Sequence, residues 1–237
     1  MKQWLSKNLW NLQANSYNSL ISWITSTKNI YSQKLIPVIL SNINPVKKNS
    51  LVLELGCGEG YLANEIAKTG YKIDAIDSSK NLIDIAKKKY SLPHFYHLDA
   101  FEIDKMKKKY DLILANLSIH DMPRVRLLTK KIYQILKRNG LFIFTIPHPC
   151  FFLPSSQNYH LGKNKYLTIE KYRTTKKFLK KLGEGITVFH YHRTLESYFS
   201  IPSNQGFRLI GFKEIFDDNK QSIYFEIPAF IIITFQR

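Results

Sequence analysis

The sequence predicts an α/β fold with a doubly wound, mostly parallel β-sheet. Between Leu51 and Ile146, short apolar runs alternate with segments whose apolar residues recur every three to four positions. The short runs are apolar throughout, which is typical of parallel strands covered by helices on both faces. A glycine-rich turn follows the first run and opens the first helical segment. Together these three observations predict a ligand crevice at the carboxyl ends of the strands.

The alternating segment predicts five strands and three helices. Gly70 ends the first helix. Ser78 is placed to cap the second helix, because a serine hydroxyl can accept a hydrogen bond from a free amide of the first turn. The predicted strands span residues 51–53, 71–76, 95–98, 110–115 and 141–146, and the predicted helices span residues 61–68, 80–89 and 124–137.

The regions on either side of this segment are expected to belong to the same domain. Residues 3–42 carry apolar positions at helical spacing. After Pro147 the alternation stops, and the stretch 148–200 is too long for a simple connection, so we expect a lid or substrate-recognition insertion. Two further strands, 207–215 and 230–235, follow each other without a helix between them. They predict an antiparallel pair at one edge of the sheet.

The composition is that of an ordinary globular protein, with 237 residues of which 44% are apolar. Apolar runs stay well short of the roughly 18 residues that a membrane helix needs. The two cysteines, Cys57 and Cys150, do not form a disulfide framework and lack the spacing of a metal site. We therefore expect a cytoplasmic protein that binds neither a membrane nor a metal.

The formal charge of +17 indicates a nucleic-acid partner, an anionic substrate or compositional drift. The positive charge comes from 28 lysines and only 7 arginines. Arginine makes the planar, bidentate contacts with phosphate. Its scarcity therefore favours compositional drift, rather than a phosphate-bearing partner, as the origin of the positive charge. An anionic partner stays open as the alternative.

The turn Gly56-Cys57-Gly58-Glu59-Gly60 indicates which ligand the crevice binds. In the dinucleotide fingerprint the third glycine follows the second by three residues. Here Tyr61 occupies that position. Glu54 lies just before the turn, where its carboxylate would repel a pyrophosphate. A carboxylate suits instead the ammonium and sulfonium charges of S-adenosylmethionine.

Two more carboxylates follow the next two strands. Asp77 ends the second strand, where a carboxylate can accept both hydroxyls of a ribose. Asp99 follows the third strand, where it can accept a hydrogen bond from an adenine amino group. Three acids at three successive strand ends fit a nucleoside with a cationic arm.

At these residues the chain resembles the class I S-adenosylmethionine-dependent methyltransferases, and among them the bacterial group of ubiquinone- and menaquinone-biosynthesis-type enzymes. The resemblance implies a Rossmann-like sheet of seven strands, with the last strand inserted antiparallel beside the fifth. It also assigns residues to the cofactor. Glu54, Gly56, Gly58 and Gly60 would hold the methionine part, Asp77 the ribose, Asp99 with Ala100 the adenine, and Asn116 with Leu117 the methionine end; Cys57 and Ser78 complete the predicted cofactor site.

We accordingly divide the expected domain, residues 1–237, into four parts. They are a helical segment at 1–45, a cofactor-binding half at 51–146, the lid insertion at 148–200 and the strand pair at 205–237.

The segment from Trp10 to Asn18 is similar to the opening motif Trp-Asp-x-x-Ala-x-x-Tyr-Asp of many relatives. Both aspartate positions are asparagine here, namely Asn11 and Asn18. The match makes Tyr17 a candidate substrate contact near the transferred methyl group.

Methyl transfer from a sulfonium is an in-line displacement that depends on positioning more than on a general base. It needs few obligatory residues, so the sequence leaves the acceptor atom open between oxygen, nitrogen and carbon. His120, after the fourth strand, and His148, after the fifth, are the candidate catalytic residues because an imidazole titrates in the useful range. His190 and His192 alternate with aromatic residues in an expected lid strand and are weaker candidates.

Three functions are compatible with these residues. The leading hypothesis is metal-free methylation of a small-molecule acceptor by S-adenosylmethionine. The second is methylation of RNA, of the tRNA type. It would use a basic stripe of Arg173, Lys176, Lys177 and Lys180, which share one face if residues 168–182 form a helix. The third is a cofactor-binding protein without transfer activity.

Overall fold

The computed structural model describes residues 9–26, 29–152, 157–161, 164–169, 171–183 and 186–237 of the chain. The N-terminal region is helical, as predicted. Residues 9–12 are helical and are followed by helix α1 (Ala14–Ser26). A π-helical turn (Tyr31–Leu35) leads directly into α2 (Ile36–Ile43). Residues 3–8 and 27–28 of the predicted helical region lie outside the described residues.

The alternating segment forms the elements that the apolar pattern predicts, with ends displaced by a few residues. The strands are β1 (Leu51–Leu55), β2 (Lys72–Asp77), β3 (His94–His97), β4 (Tyr110–Asn116) and β5 (Leu136–Pro147). The helices are α3 (Tyr61–Lys68), α4 (Lys80–Lys89) and α5 (Val125–Ile135), and short 3₁₀ helices span Ala100–Met106 and Ile119–Asp121.

The predicted cap of α4 is wrong by one residue. Ser79, not Ser78, is the N-cap, and its hydroxyl accepts a hydrogen bond from the amide of Leu82 at 3.3 Å. Ser79 is fully buried beneath the helix start, whereas Ser78 faces the ligand crevice. Two adjacent serines fit the capping pattern equally well in sequence, and the direction of the backbone after β2 selects the second.

The C-terminal region adds helix α6 (Leu195–Ser203) and strands β10 (Arg208–Ile215) and β11 (Phe230–Gln236). The seven-stranded sheet has the order β10-β11-β5-β4-β1-β2-β3. Strands β1 to β5 pair in parallel, whereas β11 runs antiparallel to both β5 and β10. The Rossmann-like sheet with an antiparallel last strand is thus confirmed.

Helices cover both faces of the sheet. On one face α5, α6 and the first 3₁₀ helix pack over residues such as Leu53, Ile113 and Phe144. On the other face α2, α3 and α4 pack over Val52 and Leu112. Because strand side chains alternate between the faces, every second residue of a buried strand contributes to each core, and runs such as 112–115 are apolar throughout.

The insertion between β5 and α6 contains two antiparallel hairpins. The first pairs β6 (Gln157–Leu161) with β7 (Asn164–Thr168), and the second pairs β8 (Lys176–Gly183) with β9 (Ile186–His192). We call β8 and β9 the lid hairpin. Strand β9 packs against the 3₁₀ helix that follows β4, so the lid hairpin lies at the carboxyl end of the sheet.

The helix considered for residues 168–182 is therefore wrong. Residues 176–183 pair along their length with β9, and Arg173 lies in a turn. Side chains of a strand alternate, so Lys176 and Lys180 lie on one face and Lys177 on the other. The basic residues do not form a single stripe.

In the described part of the chain, every helix is too short or too polar to cross a bilayer.

Candidate functional site

The carboxyl ends of β1, β2 and β4 meet at one edge of the sheet and open into a cleft. The cleft holds about 830 Å³ of free volume, a figure that includes its open mouth. The structure brings most of the predicted cofactor residues to its walls. Those lining it are Gly56, Gly58, Asp77, Ser78, Asp99, Ala100, Asn116 and Leu117.

The glycine-rich turn forms one wall of the cleft with a backbone that other residues rarely adopt. Gly56 and Gly58 have φ of +70° and +58°. A Cβ at Gly56 would lie 2.6 Å from the Cβ of Ser118, and one at Gly58 would lie 3.0 Å from the ring of Tyr17. The absence of side chains at both positions lets Ser118 and Tyr17 pack against the turn, and the main chain of both glycines lines the cleft.

Gly60 serves packing rather than the cleft. A Cβ at Gly60 would lie 2.6 Å from the ring of Phe95 on β3 and 3.1 Å from Ala86 on α4. The third glycine thus lets α3 start close to its neighbours. Cys57, between the first two glycines, is buried, and burial raises the pKa of its thiol well above the usual value.

Asp77 stands at the end of β2 with its carboxylate fixed by backbone amides. One oxygen accepts a hydrogen bond from Gly58 at 3.0 Å, and the other accepts one from Ser79 at 2.8 Å. Burial raises the pKa of Asp77 above its usual value, and these hydrogen bonds oppose that change. Each oxygen keeps capacity for a further donor, which suits the two hydroxyls of a ribose.

Asp99 occupies the matching place after β3. Its carboxylate accepts a hydrogen bond from the amide of Phe101 at 2.9 Å and caps the short 3₁₀ helix. Leu98 and Phe101 line the cleft beside it. A flat, apolar wall next to a carboxylate fits a planar base that carries an amino group.

Glu54 lies directly behind the glycine-rich turn and is 2% exposed. Burial raises the pKa of its carboxyl group to about 8, with smaller contributions from Asp77 and Glu59, while a hydrogen bond from the Ala63 amide opposes the increase. Within the described residues, Oε2 of Glu54 has no hydrogen-bond partner. A buried acceptor without a donor is costly, so this carboxyl group favours a cationic or hydrogen-bonding ligand.

Asn116 and Leu117 line the opposite wall at the end of β4. Asn116 donates a hydrogen bond to the hydroxyl of Tyr31 at 3.1 Å and accepts one from Thr145 at 2.6 Å. Thr145 also accepts a hydrogen bond from the amide of Leu117, whose φ of +45° turns the chain into the cleft. Sequence reasoning missed Tyr31 and Thr145, because neither residue lies in a recognisable motif.

The N-terminal motif contributes to the same cleft. Trp10 and Tyr17 line it, and their rings pack edge to face with centroids 5.2 Å apart. Asn11 accepts hydrogen bonds from the Asn81 amide at 3.0 Å and the Ser79 hydroxyl at 3.2 Å. Asparagine at the first aspartate position of the motif thus still supplies an acceptor to the start of α4.

The two predicted catalytic histidines lie in different environments. The ring of His148 is buried, and its Nε2 lies 3.0 Å from Glu214 on β10. Its Nδ1 accepts a hydrogen bond from the amide of Cys150 at 3.2 Å. With both nitrogens engaged, His148 tethers the chain after β5 to the edge strand. It is not among the described residues that line the cleft.

His120 instead lies next to the lid hairpin, and like His148 it is not among the described residues that line the cleft. Its Nε2 lies 3.4 Å from Oδ1 of Asp121, and Nδ1 of His190 lies 3.7 Å from the same oxygen. The two imidazole rings have centroids 4.8 Å apart. We call His120, Asp121 and His190 the histidine cluster. Asp121 also lines the cleft, so the cluster is open to a ligand on one side.

Sequence reasoning missed Asp121 and ranked His190 below His120 and His148. Asp121 directly follows His120 and has no motif of its own. His190 is separated from it along the chain, and only the inward alternation of β9 hints that His190 is buried.

Comparison with known families agrees with this geometry. Residues 53–144, from β1 to β5, match the methyltransferase domain family. In this segment the chain is similar to the class I S-adenosylmethionine-dependent methyltransferases. The matched segment contains the glycine-rich turn, Asp77, Asp99 and Asn116, which are the residues that line the cleft.

Two curated relatives show the extent of the similarity. The chain is 35% identical over 112 residues to the ubiquinone biosynthesis O-methyltransferase of Pelagibacter ubique, an alignment that covers 46% of each protein. It is 25% identical over 158 residues to the malonyl-(acyl-carrier protein) O-methyltransferase of Buchnera aphidicola, with 64% of each covered. The alignments therefore span about half to two thirds of these relatives.

Solved structures extend the similarity to the whole fold. An S-adenosylmethionine dependent methyltransferase from Mesorhizobium loti superposes with a TM-score of 0.73 at 18% identity, covering 88% of this chain and 98% of that one. The magnesium protoporphyrin IX methyltransferase of Synechocystis, solved with bound S-adenosylmethionine, gives 0.63 at 15% identity and covers 98% and 97%. At these identities the similarity concerns the fold.

Proposed function

We propose that the protein transfers the methyl group of S-adenosylmethionine to a small-molecule acceptor. The observation that carries the proposal is the set of acids around the cleft. Asp77 keeps acceptor capacity for a ribose, and Asp99 adjoins an apolar wall suited to adenine. Glu54 is buried with one oxygen unpartnered, which fits the cationic end of the cofactor.

The residues present fit this cofactor in shape as well as in charge. Gly56 and Gly58 line the cleft with bare backbone, which lets Ser118 and Tyr17 pack close to the turn. Tyr17 and Asn116 flank the same region, where the methionine part would lie. Bound there, S-adenosylmethionine supplies an electrophilic methyl group on a sulfonium. The turn and the acids orient it, and Tyr17, Asn116 and the lid hairpin would limit the access of water and position the acceptor.

A small molecule is favoured over RNA because the basic stripe required for RNA is not formed. Lys177 lies over the ring of Phe189, and Lys180 lies over the ring of Phe152, which packs against His190 of the histidine cluster. Two curated relatives are named as O-methyltransferases. We infer that the acceptor enters between the cleft and the lid hairpin.

The first test is cofactor binding by isothermal titration calorimetry. S-adenosylmethionine and its demethylated product should bind, and NAD should not. Asp77→Ala should weaken both interactions by about 1–3 kcal/mol, because it removes a charged acceptor for two hydroxyls. Asp84→Ala, an exposed acid on α4 that pairs with Lys80, is the matched control and should bind normally. Unchanged affinity in Asp77→Ala would remove Asp77 from the site.

Transfer itself is tested with radiolabelled S-adenosylmethionine and fractionated cell extract. Label should enter the small-molecule fraction and not the RNA fraction. Label found in RNA alone would contradict the proposed acceptor class while leaving cofactor binding intact.

A further inference from the structure

The histidine cluster lies where the cleft meets the lid hairpin. His120 and Asp121 come from the 3₁₀ helix after β4, and His190 comes from β9. Asp121 forms part of the cleft wall. Two rings of the insertion pack against the cluster. Phe152 and Phe178 pack against His190 with centroids 5.5 and 4.9 Å away.

Two buried polar atoms of this cluster lack hydrogen-bond partners among the described residues. They are Nδ1 of His120 and Oδ1 of Asp121. The imidazole nitrogens near Asp121 lie 3.4 and 3.7 Å from its oxygen and do not make a hydrogen bond to it. Because unsatisfied buried polar groups are costly, the cluster favours a ligand with its own donor and acceptor.

The charges around the cluster decide which ligand this is. Lys180 of β8 and Arg193 both act on Asp121 and on the two histidines. Arg193 is buried, and its guanidinium donates to the carbonyl groups of Met122 and Pro123. Burial, with help from these cations, lowers the pKa of both imidazoles, so the histidines are neutral. Arg193, together with Lys180 in its protonated form, therefore faces a single acid.

This balance disfavours a cationic ligand. Two imidazoles and a carboxylate form a donor set that binds divalent transition metals. Lys180 and Arg193 would repel such an ion, and they would equally repel a protonated amine. An oxyanion gains from both charges. Burial lowers the pKa of the Lys180 ammonium to about 7, and an oxyanion beside it would favour the charged form.

We propose that the histidine cluster binds the reacting group of the methyl acceptor, and that this group is an acidic oxygen, carried as a phenol, an enol or a carboxylic acid. The inference rests on the proposed function and specifies its acceptor atom. Lys180 stabilises the oxygen as its negative charge develops, and the rings of Phe152 and Phe178 contact the carbon skeleton of the acceptor.

The transfer step then balances as follows. A lone pair of the acceptor oxygen forms the new bond to the methyl carbon, while the bond between that carbon and sulfur breaks and leaves its electron pair on sulfur. The proton of a phenol or enol passes to the carboxylate of Asp121. An acceptor that arrives as a carboxylate has no proton to lose.

Three small aromatic probes test this inference on the full chain saturated with S-adenosylhomocysteine at pH 7. Benzoate and phenol carry the acidic oxygen, and benzylamine has the same ring with an ammonium group. Saturation-transfer NMR titrations should show benzoate and phenol binding, with benzylamine weaker than benzoate by at least about tenfold because like charges repel in the site. Lys180→Met should bring the benzoate-to-benzylamine ratio close to one. Lys180→Arg should keep it.

Lys176→Met is the matched control, since Lys176 lies on the same face of β8 but is exposed. It should leave the ratio unchanged. Benzylamine binding as tightly as benzoate in the unaltered protein, or an unchanged ratio in Lys180→Met, would overturn the inference, as would undetectable binding of both benzoate and phenol. Failure of the unaltered protein to bind S-adenosylhomocysteine would contradict the proposed function instead.

Discussion

Glu54 is the residue whose protonation state depends most directly on the ligand. Burial raises its pKa from 4.5 to about 8, so the carboxyl group is protonated through the neutral range in this structure. For an acid with a raised pKa, folding stability falls as pH rises from the unfolded value toward the folded one, here from 4.5 to about 8. A cation beside Glu54 favours the ionised carboxylate and so opposes this loss of folding stability at higher pH.

This linkage predicts that cofactor affinity rises with pH. Binding of S-adenosylmethionine should release a proton from Glu54, so that between about pH 6 and 7.5 the logarithm of affinity increases by up to about one per pH unit. Glu54→Gln should remove most of this slope. Calorimetry in buffers of different ionisation enthalpy measures the proton release directly. Glu65→Gln, on α3, is the control, and equal slopes in Glu54→Gln and the unaltered protein would contradict the role of Glu54.

The residues of the site differ in how far the sequence predicts them. Glu54, Asp77 and Asp99 are predictable because each acid follows a strand, and strand ends meet in space. Tyr31 and Asp121 are not predictable in this way. Their positions depend on how a helix and a 3₁₀ turn pack onto the sheet, and that packing leaves no fixed spacing in the chain.

At the scale of elements, the lid hairpin is attached to the N-terminal helices by one side chain. The amide of Gln13 donates to the carbonyl of Thr187 on β9 at 3.0 Å and accepts from the amide of the same residue. The Gln13 side chain thus makes with Thr187 the pair of hydrogen bonds that a neighbouring strand would make at the edge of β9. The same amide also donates to Leu9 at 2.8 Å.

Gln13→Leu should therefore loosen the lid hairpin without unfolding the protein. Two hydrogen bonds contribute about 0.5–1.5 kcal/mol each. We expect faster amide hydrogen exchange in β9, greatest at Thr187, and little change in thermal stability. Gln33→Leu provides the comparison, because Gln33 is exposed. Unchanged exchange at Thr187 would show that β9 is held by other contacts.

Strand β8 of the lid hairpin is where sequence reasoning failed. Residues 176–181 contain four lysines, and their spacing satisfies a helical period and a strand period equally well. Strand β9 was predictable, because His190 and His192 alternate with aromatic residues, and the burial of Ile186, Val188, His190 and His192 follows that alternation. Local pattern therefore predicts β9 but not β8, whose conformation depends on its pairing with β9.

At the scale of the whole molecule, β11 joins the edge strand β10 to the five parallel strands of the sheet. It pairs with β5 on one side and β10 on the other. Ile231, Ile232, Ile233 and Phe235 are all buried, and together they reach both cores. The sequence predicts this pair of strands from its apolar runs. The insertion of β11 next to β5, however, follows only from the family resemblance.

Ile233→Ala should destabilise the whole molecule by about 2–5 kcal/mol, because it removes three buried carbons and leaves a cavity. Urea unfolding should give a lower midpoint with a similar slope. Ile210→Ala on the neighbouring strand β10 is the control, since Ile210 is 45% exposed and should cost far less. Equal losses in the two variants would mean that β11 is not part of the cooperative core.

The place of β11 has a consequence for synthesis on the ribosome. Strand β5 is made directly after its first neighbour in the sheet, β4. Its second neighbour, β11, is made only after the whole insertion and the segment up to Phe230. At bacterial elongation rates these residues, 148–229, take roughly 4–16 seconds to be made. Throughout that interval one edge of β5 is unpaired, and its apolar side chains are not yet covered by Ile231 and Ile233 of β11. The nascent chain is therefore most exposed to misassociation and to chaperone binding when the cofactor-binding half has just been completed.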